Sequence, residues 1–289
     1  MQPNRTAAAA AARDLHAMLR LEAPPFDPFV IADRLNIPLR PLTTNDFSGC
    51  LLQHDDKVAI FYSTSVGNEG FRRFTVAHEI GHRELAHHQP YLFDMSGRHA
   101  STSNFTSREW FEQEADAFAV ELLMPEEPFR REMRKHVIGL PAIKSFGETF
   151  QTSLTSTAIR YAELTGDPVV IVVSEDGRVL YNFASGCMKR FGIGYLKPGT
   201  RIPNASETGK LLKSGAASSR EIEGVSYLAS WFEHTSQNLK LDEDVLELGA
   251  YGKTLTVLHT KLLPDRDEPD ENEDDGGLTP DGKRYSWGA

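Results

Sequence analysis

Cysteine is nearly absent, with only Cys50 and Cys187 in 289 residues. Two thiols cannot staple a small domain, so the disulfide-rich secreted class is excluded and both read as unreactive packing residues. No stretch approaches the roughly 18 apolar residues of a membrane span. Ala7 to Ala12 is followed at once by Arg13 and Asp14, so the start lacks the apolar core of a secretory signal. A cytoplasmic protein with no membrane partner is the expectation. Positive charge is also short, with 31 Lys and Arg against 41 Asp and Glu and a net charge of -10. Eight acids and one base between Pro264 and Asp275 hold seven of those net negative charges. The remainder has no clustered positive field of the kind that nucleic acid or anionic lipid requires, so strong nucleic-acid binding is not expected.

What is present is a 40% hydrophobic chain with enough apolar residues for a substantial core. The pattern reads as α+β. Residues 1–12 form a flexible lead, and a helix follows from Arg13 to Glu22, stopped by Pro24-Pro25. A second short helix lies near Phe29–Leu35, then extended chain at Ile37–Leu42 and a hairpin of Cys50–Gln53 with Val58–Ser63. Asn68–Leu85 is helical, and His87 to Phe105 reads as a polar loop. Thr106 is placed to cap the next helix, with Glu109 three residues on completing a capping box. Phe111, Ala115, Phe118, Ala119 and Leu122 form its apolar face.

Further helices to residue 165 end in a pair joined across Gln151-Thr152-Ser153 that has the shape of a helix-turn-helix. From Gly166-Asp167-Pro168 the texture changes. A hairpin at Val169–Val173 and Val179–Phe183, with strands at Val225–Phe232 and Leu255–His259, predicts a smaller α+β domain over 167–263, a candidate for sensing or substrate recognition. Ordering a residue costs about 1 to 2 kcal/mol, and the acidic run offers no apolar side chain to offset it, so residues 264–289 are expected to be a disordered tail.

The chemistry lies in His78-Glu79-Ile80-Gly81-His82, an HExxH pattern. On a helix the two imidazoles are offset by about 40 degrees and separated by about 6 Å along the axis, so both reach one metal ion. Glu79 falls within about 60 degrees of His82 and can act on a water there without being a ligand. A catalytic zinc takes three protein ligands and keeps one position open. On the helix after Thr106, Glu112 and Asp116 stand one turn apart, off the apolar face. Glu112 is the candidate third ligand and Asp116 the acid that receives the N–H of a ligating imidazole. Glu109, Glu114 and Glu121 compete for the ligand role, Glu114 most seriously. His87 and His88 read as a solvated helix end, and His99 and Tyr91 as loop residues between the two motif helices.

Such a site polarises a peptide carbonyl and acidifies a water, with Glu79 taking the proton and passing it to the departing amine. Zinc is the expected ion, with manganese or another divalent ion alternative. Val58, Ile60 and Tyr62, just upstream, are candidates for an edge strand along which an extended substrate lies.

Two segments carry a family resemblance. Phe71-Arg72-Arg73-Phe74-Thr75-Val76-Ala77-His78-Glu79-Ile80-Gly81-His82, and Glu112-Gln113-Glu114-Ala115-Asp116 running on to Leu122-Leu123-Met124-Pro125, resemble the ImmA/IrrE metallopeptidases over roughly residues 13–165. The resemblance implies a zincin-like, gluzincin-type domain over 13–166, with its helix-turn-helix-like end at about 126–165. It implies ligands at His78, His82 and Glu112, a base at Glu79 and a conserved acid at Asp116. It further implies a cytoplasmic endopeptidase that cleaves a helix-turn-helix repressor in a stress or mobile-element response. The alternative is a DNA-binding regulator with a structural or vestigial metal site, reading DNA through Ser156, Thr157 and Arg160 on the helix Leu154–Leu164.

Overall fold

The computed structural model describes residues 1–54, 57–92, 98–101, 109–193, 195–214, 221–232, 239–249 and 252–261. The acidic tail and Thr106 lie outside them. Two compact units result, one of Met1–Glu132 with Ser145–Thr157, the other of Met133–Lys144 with the chain from Ala158 onward.

The first helix, α1, runs from Arg5 to Leu19, so residues 5–12 are part of it rather than of a flexible lead. Asn4 caps it by accepting from the Ala7 N–H at 3.0 Å. Alanine is the best helix former, and Ala8, Ala12, Leu15 and Leu19 make a buried stripe that packs on α5 (Trp110–Leu123). Polar pairs fix the register. The Asn4 N–H donates to Glu114 Oε1 at 2.7 Å, Arg5 to Gln113 at 2.8 Å, and Arg13 meets Glu121 at 3.3 Å. His16 Nε2 lies 2.8 Å from the Leu122 carbonyl. The partners advance together, so α1 and α5 run in the same direction. Next, α2 (Pro28–Arg34) starts on Asp27, which accepts from the Phe29 N–H at 2.9 Å.

Strands β1 (Leu39–Leu42), β2 (Gly49–His54), β3 (Lys57–Ser63) and β4 (Arg98–Ser101) form a sheet in the order β1-β3-β2-β4. The hairpin is β2 with β3, antiparallel, Leu51 opposite Ile60. β3 is not an edge strand, because β1 pairs with it in parallel from Ile60 to Ser63 on its other side. Ile60 and Tyr62 therefore lie where β3 is paired on both edges and offer no open ladder to a substrate, while the β1 pairing does not extend to Val58. β4 pairs with β2, His99 opposite Leu51. Cross-strand partners share a face, so His99, Leu51, Ile60 and Leu39 form one row.

α3 (Glu69–Glu84) packs against β2 and β3. Asn68 caps it, accepting from the Phe71 N–H at 3.1 Å. Gly81 lets α3 meet α5 closely, since a Cβ there would stand 3.1 Å from Phe118 Cδ1. A 3-10 turn at Ala86–His88 and the short α4 (Gln89–Leu92) follow, so the stretch from His87 is not a plain loop. α5 begins only at Trp110. Glu109 is its N-cap, with no side-chain cap bond, rather than the third residue of a capping box.

α6 (Glu126–Met133), α7 (Leu140–Phe150) and α8 (Leu154–Leu164) complete the helical part. Phe129 lies 5.3 Å from Phe146 and 5.1 Å from Phe150, ring to ring. On α8, Thr155 and Thr157 to Ala162 are all buried. The hydroxyls of Ser156 and Thr157 turn back to the Ser153 carbonyl at 3.0 and 2.8 Å.

The second unit holds a five-stranded antiparallel sheet. Its strands are β5 (Val169–Glu175), β6 (Arg178–Ala184), β7 (Glu221–Tyr227), β8 (Lys240–Glu247) and β9 (Lys253–His259), in the order β6-β5-β9-β8-β7. Asp176 and Gly177, both at positive φ, turn the β5–β6 hairpin. Helices α9 (Gly186–Arg190), α10 (Glu207–Lys213) and α11 (Leu228–Trp231) accompany it. Val170, Val172, Met188, Trp231, Leu241 and Leu258 are part of its core. Two buried carboxylates of β8 are matched. Glu243 accepts from the Thr208 N–H at 2.8 Å at the start of α10, and Asp244 from the Leu140 N–H at 2.8 Å, with His259 Nε2 at 3.2 Å.

Candidate active site

α3 presents His78 and His82 on one side, their Nε2 atoms 3.0 Å apart. Glu112, in the first turn of α5, reaches both, with Oε2 3.2 Å from His78 Nε2 and Oε1 3.4 Å from His82 Nε2. A tetrahedral ion with bonds of about 2.0–2.1 Å separates its ligand atoms by about 3.3 Å. The three side chains fit a divalent cation both in donor type and in spacing. Glu114, the competing carboxylate, points elsewhere, to His87 and His88.

The outer nitrogens of both imidazoles are engaged. His78 Nδ1 lies 2.9 Å from Asp116 Oδ1, one turn along α5 from Glu112. A carboxylate accepts, so this bond places the His78 proton on Nδ1 and leaves Nε2 with its lone pair toward the site. His82 Nδ1 lies 3.1 Å from His88 Nδ1. His88 is fully buried and so is not part of a solvated helix end. The 3-10 turn brings it back under the helix. Between buried Leu85 and Leu92, its position carried the one sequence clue to burial. His87 fits the solvated reading better, its side chain 54% exposed.

Burial lowers the pKa of His82, against the pull of Glu112, to about 3. Burial acts on His78 in the same sense, but hydrogen bonds with Asp116 and Glu112 outweigh it and hold the ring well above the usual imidazole value. The Glu112 carboxyl would be raised by burial, yet His78, His82 and His99 hold it well below the carboxylate range.

Glu79 is fully buried. Gly49 at the start of β2 packs against it, since a Cβ at Gly49 would meet Thr75 Cγ2 at 2.7 Å and Glu79 Cδ at 3.0 Å. His99 belongs to strand β4 rather than a loop, and its Nε2 comes within 2.9 Å of Glu112 Oε1. Phe111 walls this side, 6.1 Å from His82 and 6.0 Å from His99, ring to ring. Tyr91 is half exposed and packs on Trp110 at 5.2 Å.

Comparison with known proteins agrees with this geometry. Residues 32–160 match the peptidase M78 family, described as the IrrE N-terminal-like domain. This is a narrower span than 13–165, and it begins after α1. No curated protein matches the chain. Among solved structures, a Mycobacterium tuberculosis transcriptional regulator shares the fold, with a TM-score of 0.56 and 13% identity over 88% of this chain and 76% of that one. The His-Glu cluster and the strands and helices that hold it lie inside the span, residues 32–160, that matches the IrrE N-terminal-like domain of this peptidase family.

Proposed function

We propose that the chain is a zinc-dependent endopeptidase. The observation that carries this reading is the convergence of His78, His82 and Glu112 on one point, with Glu79 next to a ligand in the same helix turn. Bound there, a divalent ion supplies a charge that polarises a peptide carbonyl and acidifies a water. Glu79 takes a proton from the attacking water and delivers it to the departing amine. Asp116 holds His78 in the tautomer that faces the site. His99, beside Glu112, is placed to donate to oxygen on the substrate. Among the described residues, β4 is the edge of the sheet on that side, and its position supports an extended peptide pairing along it.

The substrate class is a protein, and the family resemblance favours a helix-turn-helix repressor. The DNA-binding alternative has little support from α8. Arg160 is buried and lies 3.6 Å from Glu163, and the neighbouring hydroxyls are engaged with Ser153. Few side chains remain on that helix to reach base edges. The test is incubation of the purified protein with the repressor encoded nearest its gene, with and without chelator, and mapping of the cut by mass spectrometry. A chelator-sensitive cut supports the assignment. A cut that persists in Glu79→Gln overturns it.

A further inference from the structure

Below the site lies a second group of metal-type donors, His87, His88 and Glu114, whose ligand atoms lie within 4.8 Å of one another. His87 Nε2 is 2.6 Å and His88 Nε2 3.1 Å from Glu114 Oε2. The spacing alone admits a second ion. Proton positions decide against it. His82 Nδ1 and His88 Nδ1, 3.1 Å apart, share one hydrogen, so one donates and the other accepts.

For His82 to present the Nε2 lone pair to the site, its hydrogen must sit on Nδ1 and be donated to His88 Nδ1. The hydrogen of His88 is then on Nε2 and is donated to Glu114. An ion at His87, His88 and Glu114 would need the lone pair of His88 Nε2. That reverses the shared bond, puts the His82 hydrogen on Nε2 and removes His82 as a ligand. With neutral rings, the two sites exclude each other.

We propose that His88 and Glu114 are positioning residues, a relay that fixes the tautomer and ring orientation of His82 as Asp116 does for His78. Glu114 is anchored in turn, because its other oxygen accepts the Asn4 N–H at 2.7 Å. The relay thus runs from the start of α1 through α5 and the 3-10 turn to α3. Every member is buried except Asn4, so water cannot substitute for a missing partner. His87 is lateral to it.

This inference rests on His78, His82 and Glu112 being the ligands, and the experiment separates the two claims. Zinc stoichiometry and affinity of the full chain are measured by competition with a chromophoric chelator for the wild type and for His78→Ala, His88→Ala, His88→Asn and His87→Ala. One equivalent is expected in the wild type. His88→Ala should weaken it by about 10- to 100-fold. His88→Asn, whose Oδ1 takes the place of Nδ1 as acceptor, should recover most of the affinity, and His87→Ala should change nothing. Long-range nitrogen–proton NMR correlations of the zinc-loaded wild type should show His82 protonated at Nδ1 and His88 at Nε2. Wild-type affinity in His88→Ala, or His88 protonated at Nδ1, overturns the relay while leaving the ligand set intact. A second equivalent that disappears in His87→Ala overturns it in favour of a metal site. No zinc in the wild type, or undiminished affinity in His78→Ala, overturns both.

Discussion

Gly49 backs directly onto Glu79, and the space a Cβ would need at Gly49 is filled by the Glu79 carboxylate and the Thr75 methyl. The base is thus placed by the absence of a side chain on a neighbouring strand. Gly49→Ala should push Glu79 aside while leaving the three candidate ligands in place. Displacement on the ångström scale costs about 100-fold in rate. kcat/KM of Gly49→Ala should fall by that order with zinc content unchanged, and loss of zinc would show that the strand supports the ligands as well.

Glu79→Gln and His78→Ala should separate chemistry from binding. The first should keep one equivalent of zinc and lose cleavage; the second should lose both. Asp116→Ala should lie between them, with zinc affinity lowered about 10- to 100-fold. Chelator competition and a peptide-cleavage assay on the same samples read all three.

A pH dependence follows from Asp244. Burial would raise its carboxyl, but His259 and the Leu140 N–H more than offset this and hold it below its ordinary value of 3.8. A depressed carboxylate adds stability that is complete above about pH 4 and disappears as the pH falls through the lowered folded value. Asp244→Asn should destabilise the protein by about 1 to 2 kcal/mol at pH 7 and by less at pH 3. Urea denaturation at the two pH values gives the comparison. An equal loss at both would mean the pairing is not electrostatic.

Binding to random duplex DNA should show almost no salt dependence. A protein that neutralises several phosphates has a steep slope of log affinity against log salt. α8 offers Arg160, which is buried beside Glu163. A titration from low to physiological salt checks this, and a slope of several units would revive the regulator reading.

The motif helices were legible because their information is local. HExxH, Glu112 and Asp116 are read from residues one turn apart, and the structure brings His78, His82, Glu112 and Asp116 together. Strand order is not local, so β3 read as an edge although β1 covers it. The alanines of α1 carry little apolar area each, and only their contact with α5 shows them to be core. β8 was hidden by Asp242-Glu243-Asp244, which look solvated in sequence. Glu243 and Asp244 are buried on partners far away along the chain. His88 lies off the face of α3, and only the tight turn after Leu85 returns it to the site.

Among the described residues the chain passes between its two units three times, twice within α7 and α8, and this governs how it can be dissected. A fragment trimmed to the family match, 32–160, would start after α1 and so strip the alanine stripe from the back of α5. It would also sever Asn4 from Glu114 and retain Met133–Lys144 without the strands that segment folds with. The evolutionary unit and the folding unit have different borders. Limited proteolysis should therefore yield no persistent core ending at residue 32 or 160, and an excised catalytic domain has to carry the chain from α1 onward.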